Sequence, residues 1–211
     1  MTRTFTIVAA ASLAGLLGIL VYAVTLGRPD DQFAQCRATK VATSGGGSQI
    51  GGPFTLVDEG GKTVTASEVI DQPSLLYFGY TFCPDVCPLD NARNAEAIEI
   101  LENAGTIVKP VFISIDPARD TPEVLRDFTD NLHPRMVGLT GTPEQVKAAS
   151  QAYRTYYKRR EAEDNNPEFY LMDHSTTSYL VMPKHGFVEF FTREVTPDDM
   201  AKRMQCFVDA Q

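Results

Sequence analysis

Basic side chains are scarce in this chain. Over 211 residues, 19 Lys and Arg face 27 Asp and Glu, a formal charge of −8, with a pI near 4.9. Such a balance lacks the positive field that phosphate binding relies on, which argues against nucleic acid as a partner. Only Arg3 precedes Arg28, so the body is more acidic than the chain as a whole. Cysteine is scarce as well: four are too few for a disulfide scaffold, and each has to be explained individually. The length leaves room for one domain and an appendage, but not for two full-sized domains. No internal repeat is present, and no low-complexity tract beyond one short Gly/Ser stretch. With 22% charged and 43% hydrophobic residues, the chain is neither disordered nor collagen-like.

Charge is absent altogether from Phe5 to Leu26, where Thr6, Ser12 and Thr25 are the polar members of the run. At about 1.5 Å per residue this makes roughly 33 Å of helix, close to the hydrocarbon thickness of a bilayer. A cleaved signal peptide has a shorter apolar core and small residues at its cleavage site, and no convincing A-x-A site closes this run. A retained signal-anchor is the expectation. Phe33-Ala34-Gln35 ahead of Cys36 is no lipobox. Arg3 on the short side and Asp30-Asp31 on the far side place the N-terminus in the cytoplasm and the body outside. Four residues ahead of the run leave no room for a mitochondrial transit peptide. The expected setting is a bacterial inner membrane, single-pass, with a soluble domain in the periplasm.

Three segments follow: residues 1–27 as membrane anchor, 28–50 as a flexible tether containing Thr43-Ser44-Gly45-Gly46-Gly47-Ser48, and 51–211 as the folded domain. Within the domain, Phe54-Leu56 and Val64 flank a glycine turn at Asp58-Glu59-Gly60-Gly61 and predict a hairpin. Leu75–Phe78 and Val111–Ile115 read as buried strands. Between them Pro88–Ala104 carries Ala97, Ile100, Leu101 and Ala104 at helical spacing, and Gly105 ends it. Three more helices open alike, at Thr121-Pro122-Glu123, Thr142-Pro143-Glu144 and Thr196-Pro197-Asp198. In each, threonine caps free N–H groups, proline tolerates the first turn, and an acid meets the positive dipole end. Their apolar faces are Leu125/Phe128/Leu132, Val146/Ala149/Tyr153 and Met200/Met204/Phe207. Thr177–Met182 and Phe187–Phe191 form a second hairpin around Lys184-His185-Gly186. The order β-α-β-α, a helix, then β-β-α gives an α/β fold of thioredoxin-like type, a mixed sheet with flanking helices, behind an N-terminal transmembrane helix.

Cys83-Pro84-Asp85-Val86-Cys87-Pro88 sits between a strand and a helix. Thiols four residues apart reach one side of a turn, near enough to share a metal or to form a disulfide. Pro88 belongs in the first helical turn, which puts Cys87 at or near the N-cap, where the dipole favours a thiolate. Two soft thiolates with an imidazole suit Cu(I), whereas a closed zinc site takes four ligands. Of the three histidines, His133 before Pro134 reads as a surface cap residue and His185 as an exposed turn residue. His174, in Asp173-His174-Ser175-Thr176 before a buried strand, can approach the cysteine turn, with Asp173 orienting its ring. Spacing alone leaves ligand and structural histidine evenly matched there. For the cysteines, a plain structural disulfide is the competing reading.

These segments resemble the Sco (SenC) family of copper chaperones for cytochrome c oxidase. The resemblance rests on Gly51-Gly52-Pro53-Phe54-Thr55-Leu56, on Tyr77-Phe78-Gly79-Tyr80-Thr81-Phe82-Cys83-Pro84-Asp85-Val86-Cys87-Pro88, on Ile113-Ser114-Ile115-Asp116-Pro117-Ala118-Arg119-Asp120-Thr121-Pro122, and on Asp173-His174-Ser175. The C-x3-C spacing separates it from C-x2-C thioredoxins. The resemblance implies that Cys83, Cys87 and His174 bind copper, as Cu(I) and also as Cu(II), and that the apoprotein cycles between dithiol and a Cys83–Cys87 disulfide. It also implies delivery of copper to the CuA centre of cytochrome c oxidase subunit II, or reduction of that subunit's cysteines.

Cys36 and Cys206 lie outside the shared motif. Two partly exposed thiols outside the cytoplasm rarely stay free, and a Cys36–Cys206 disulfide tying the tether to the last helix is expected. The competing functional class is a membrane-anchored thiol–disulfide oxidoreductase, which does not need His174. A peroxidase of related fold would need an activating arginine that nothing in the sequence selects. Either leading role requires a periplasmic thiol reductant to keep Cys83 and Cys87 reduced. Asp85 and Asp116 remain open between tuning the site and shaping a turn.

Overall fold

The structure, a computed structural model, describes Gly15, Leu17, Gly18 and residues 32–37, 50–161 and 169–211. The chain divides into two compact units, residues 1–34 and 35–211. In the first, Gly15, Leu17 and Gly18 are helical and exposed. The expected membrane run Phe5–Leu26 otherwise lies outside the described residues, and among the described residues no helix is long and apolar enough to cross a membrane.

The second unit opens with the first predicted hairpin, β1 (Thr55–Asp58) and β2 (Thr63–Thr65), paired antiparallel. Asp58 makes its turn: Oδ1 accepts from the Gly60 and Lys62 amides at 2.8 and 2.9 Å, and Gly61 takes φ +79. A single-turn helix α1 (Ala66–Val69) follows. The core βαβ unit is β3 (Ser74–Gly79), α2 (Val86–Asn103) and β4 (Lys109–Ser114), with the two strands parallel and Leu76 opposite Val111. Every residue of β3 is buried, as expected of a strand covered on both faces. Helix α2 closes at Gly105, whose φ of +87 suits a residue without Cβ.

Helices α3 (Pro122–Asp130), α4 (Pro143–Ala152) and α5 (Pro197–Asp209) are the three Thr-Pro-acid helices. In each the threonine hydroxyl accepts the N3 amide at 3.3 Å. Between α3 and α4 lies β5 (Val137–Thr140), a strand the sequence reading left out. It has four residues, and Gly138 interrupts its apolar pattern. A Cβ there would stand 2.6 Å from the Glu59 carboxylate, which accepts the Gly138 amide at 2.7 Å. Two further strands were also not foreseen: β6 (Tyr157–Arg159) and β7 (Met172–His174) form a separate antiparallel ribbon. The chain continues into the second predicted hairpin, β8 (Ser178–Met182) and β9 (Gly186–Phe191).

Seven strands make one mixed sheet in the order β2-β1-β5-β4-β3-β8-β9. Alternation along β3 sends successive rings to opposite faces. Tyr77 stacks with Phe112, which meets Phe128 of α3 at 4.8 Å, while Phe78 packs on Tyr153 at the end of α4. Helices therefore cover both faces, and α2 packs beside α5. This is the thioredoxin-like architecture expected from the sequence, with β3 at its centre.

Candidate metal centre

Strand β3 leads into the cysteine turn, and His174 ends β7, just ahead of β8. Strands β3 and β8 are antiparallel neighbours, Tyr77 opposite Ser178, so the C-terminal end of one lies beside the N-terminal end of the other. The Thr81–Asp85 loop and His174 thus meet at the C-terminal end of β3, in the interior of the sheet's strand order. Cys83 Sγ, Cys87 Sγ and a His174 ring nitrogen lie within 4.8 Å of one another, among the described residues the one such group of metal-ligating side chains. Three ligands around one metal at bonds of about 2.2 Å stand on the order of 4 Å apart, so closure onto an ion needs only small shifts.

Protons are placed by the surroundings. His174 Nδ1 lies 2.8 Å from the Ser175 carbonyl. A carbonyl only accepts, so Nδ1 carries the hydrogen and Nε2 presents a bare lone pair. That lone pair faces Cys87 Sγ at 3.3 Å. The rings of Tyr77 and Tyr80 meet the imidazole edge-on at 6.2 and 5.8 Å and hold its plane. Asp173, the residue expected to orient the ring, instead accepts from Arg160 Nε at 2.7 Å. Its side chain is turned to the β6 partner strand, and the neighbouring backbone takes over the imidazole.

Asp85 is the N-cap of α2, and Cys87 is the second helical residue, with Pro88 following in the same turn. Cys87 is fully buried and Cys83 is 8% exposed, both as free thiols. The Cys87 amide donates to Cys83 Sγ at 3.3 Å. A hydrogen bond from the Cys87 thiol, with those from the Asp85 and Cys87 amides, pulls the Cys83 thiol well below its ordinary value, against burial. Cys87 moves the other way, because it donates to Cys83 and is buried. Negative charge on the pair is thus favoured on Cys83, and the proton on Cys87.

The loop carrying Cys83 is anchored by two acids of the segment after β4. Asp120, wholly buried, accepts from Thr81 Oγ1 and from Ser114 Oγ, each at 2.6 Å; burial raises its pKa. Asp116 accepts from Tyr170 Oη at 2.7 Å and from Arg119 Nε at 2.6 Å. The Arg119 guanidinium then lies over Tyr170 at 3.6 Å and over Phe82, the neighbour of Cys83, at 4.6 Å. The role of Asp116, open in the sequence, is that of a buried anchor. Phe82, Leu89 and Phe169 remain exposed near this loop.

His185 is exposed in the β8–β9 turn. His133, expected at the surface, is 2% exposed: Nδ1 accepts the Arg135 amide at 3.2 Å and Nε2 faces Glu102 at 3.1 Å. The ring thus turns inward to Glu102 of α2 instead of out to solvent. Cys36 and Cys206 are joined by a disulfide, Cα–Cα 5.6 Å, and Cys36 is buried. The stretch read as a flexible tether is therefore pinned to α5 at one point.

The SCO1/SenC family model matches residues 42–209. This chain belongs to the SCO1/SenC family. It is 49% identical over 209 residues to Protein SenC of Rhodobacter capsulatus, covering 99% of this chain and 92% of that one. Among solved structures it is similar to Arabidopsis thaliana ScoI with copper bound, at 41% identity and a TM-score of 0.70, covering 76% of this chain and 99% of the other. It is likewise similar to yeast Sco1 with copper bound, at 34% identity and a TM-score of 0.71, covering 77% and 90%. Family membership accounts for the C-x3-C turn and the thioredoxin-like sheet. Tyr77, Gly79, Tyr80 and Asp120 were not singled out by sequence reasoning as parts of this site. For the first three the signal is only a run of aromatics and small residues before the first cysteine, and for Asp120 only its place in the Asp116-Pro117-Ala118-Arg119-Asp120 segment after β4.

Proposed function

We propose that this SCO1/SenC protein is a copper carrier of cytochrome oxidase assembly, holding Cu(I) on Cys83, Cys87 and His174. The observation that carries the reading is the bare Nε2 lone pair of His174 aimed at Cys87 within a ready-made group of two sulfurs and one nitrogen. Soft sulfur donors with one imidazole match Cu(I), and copper-bound relatives of the same fold support the assignment. Cys83, less buried than Cys87, is the ligand that an acceptor's thiolate displaces first, so the metal leaves by ligand exchange. The acceptor in this reading is the CuA centre of oxidase subunit II. The uncharged run from Phe5 to Leu26 anchors the carrier in a bacterial inner membrane with its body in the periplasm.

A second reading has one observation in its favour. Two free thiols in one turn, the less buried Cys83 receiving the Cys87 amide at 3.3 Å, are also the arrangement of an attacking and a resolving thiol, suited to reducing the acceptor's cysteines with a periplasmic thiol donor. Anaerobic Cu(I) titration of the full-length chain against a competing chelator separates the two. The expected result is one tightly held ion, lost in Cys83→Ser, Cys87→Ser and His174→Ala, with disulfide exchange intact in the histidine variant. Absence of competitive binding in the wild type, with a readily reduced Cys83–Cys87 pair, would overturn the carrier reading.

A further inference from the structure

Behind Cys87 lies a polar chain that runs from the buried site to the surface. Tyr77, 1% exposed on β3, donates its hydroxyl to Asp90 Oδ2 at 2.9 Å, with both groups buried. Asp90 is three residues after Cys87 in α2, on the same face of the helix. Its other oxygen accepts from Arg193 Nε at 3.2 Å. Arg193 comes from the turn between β9 and α5, and its side chain is 41% exposed. The phenol ring touches the surroundings of both interior ligands. It meets the His174 imidazole edge-on. With Cys87 Sγ it crowds the space beside Gly79, both lying within 3.0 Å of where a Cβ would stand.

We infer that Tyr77, Asp90 and Arg193 are positioning residues for the metal-binding sulfur of Cys87, setting the field in which that thiolate holds its ion. The inference rests on the Cys83/Cys87/His174 reading. A metal-bound Cys87 is an anion with no access to water, and Asp90 is a second buried anion one helical turn away. Two such charges are tolerated only when the carboxylate is already engaged. The hydroxyl of Tyr77 and the guanidinium of Arg193 each engage one of its oxygens. Without the hydroxyl, the carboxylate loses one of these two donors. The ligand set itself is untouched, so the effect falls on retention of the ion and on the electronic character of the sulfur, as for groups that hydrogen-bond around metal ligands elsewhere.

The test uses the full-length chain and two readouts: Cu(I) affinity against a chelator, and the position of the sulfur-to-copper charge-transfer band of the Cu(II) form. Tyr77→Phe is expected to weaken Cu(I) binding by about 10–100-fold and to shift the band. Asp90→Asn keeps an acceptor for the hydroxyl and removes the charge. It is expected to retain the ion at least as well as the wild type, and Tyr77→Phe/Asp90→Asn is expected to recover most of the single-variant loss. A merely structural tyrosine would give additive losses and an unmoved band. If Tyr77→Phe fails to fold, Arg193→Gln, altered at a partly exposed side chain, is expected to weaken binding in the same direction and to be rescued likewise by Asp90→Asn. Wild-type affinity and band in Tyr77→Phe, or in Arg193→Gln where that variant stands in, would overturn the inference while leaving the ligand assignment standing. A wild type that holds no copper overturns both.

Discussion

Cys87 sits where a side chain at position 79 would begin. A Cβ on Gly79 would stand 3.0 Å from Cys87 Sγ, 3.0 Å from the Phe112 ring and 2.9 Å from the Tyr77 ring. The last residue of β3 thus has no side chain because the sulfur occupies that volume. The rings around it belong to the sheet's fully buried interior and have little room to yield.

Gly79→Ala is accordingly expected to push the Cys87 sulfur off its line to His174 Nε2 while leaving the sheet assembled. Overpacking of this kind costs about 1–3 kcal/mol of stability. Cu(I) affinity is expected to fall at least tenfold, an amount equivalent to about 1.4 kcal/mol at the site. Chelator competition together with far-ultraviolet circular dichroism checks both statements. An alanine variant that binds copper as the wild type does would show that the sulfur has other room.

His133 supplies a pH dependence far along α2 from the cysteines. Burial holds its imidazole below the ordinary value, with Glu99 opposing weakly. Its two nitrogens are satisfied in the neutral form, Nδ1 by the Arg135 amide and Nε2 by Glu102. Below about pH 6.5 the unfolded chain binds a proton that the folded chain resists. Stability from this group is therefore complete above that pH and declines as the pH falls through the folded-state value. Urea midpoints at pH 7.5 and 5.5 are expected to drop less in His133→Gln than in the wild type. An equal drop in the two proteins would remove His133 as the cause.

The Cys36–Cys206 disulfide closes a loop of 170 residues. Restricting so long a segment of the unfolded chain stabilises the fold by roughly 2–5 kcal/mol. Replacing both cysteines by alanine is expected to lower the thermal midpoint accordingly and to leave Cu(I) affinity unchanged, since neither sulfur belongs to the metal-ligating group. Altered copper retention in the double variant would mean that the α5 end of the body communicates with Cys87.

Much of this architecture is legible in the amino-acid order, and for physical reasons. Thr121, Thr142 and Thr196 announce their helices because capping is a local transaction between a hydroxyl and an amide three residues on. The two hairpins are legible for the same reason, since glycine turns act on their own neighbours. Strand β5 is not, because Val137–Thr140 is defined by β1 and β4 on either side rather than by a pattern of its own. The metal-ligating group divides in the same way. Cys83 and Cys87 declare themselves by spacing within one turn, and His174 gains its meaning only because the β3–β8 pairing brings it to Cys87, 87 residues away in the chain. Asp173 looked like the partner of the imidazole because it is adjacent in the chain. Strand geometry turns adjacent side chains to opposite faces, and the Ser175 carbonyl holds the ring instead.

The bond between Cys36 and Cys206 also decides where a mechanical load enters the body. Traction on the polypeptide ahead of Cys36 crosses the sulfur bridge directly to α5 and bypasses residues 37–50 and strand β1. Strand β1, held between β2 and β5, unzips one hydrogen bond at a time when pulled from its end. Helix α5 has to be lifted as a piece, against Met200, Met204 and Phe207, all fully buried. Severing the bridge would hand the pull to β1 instead.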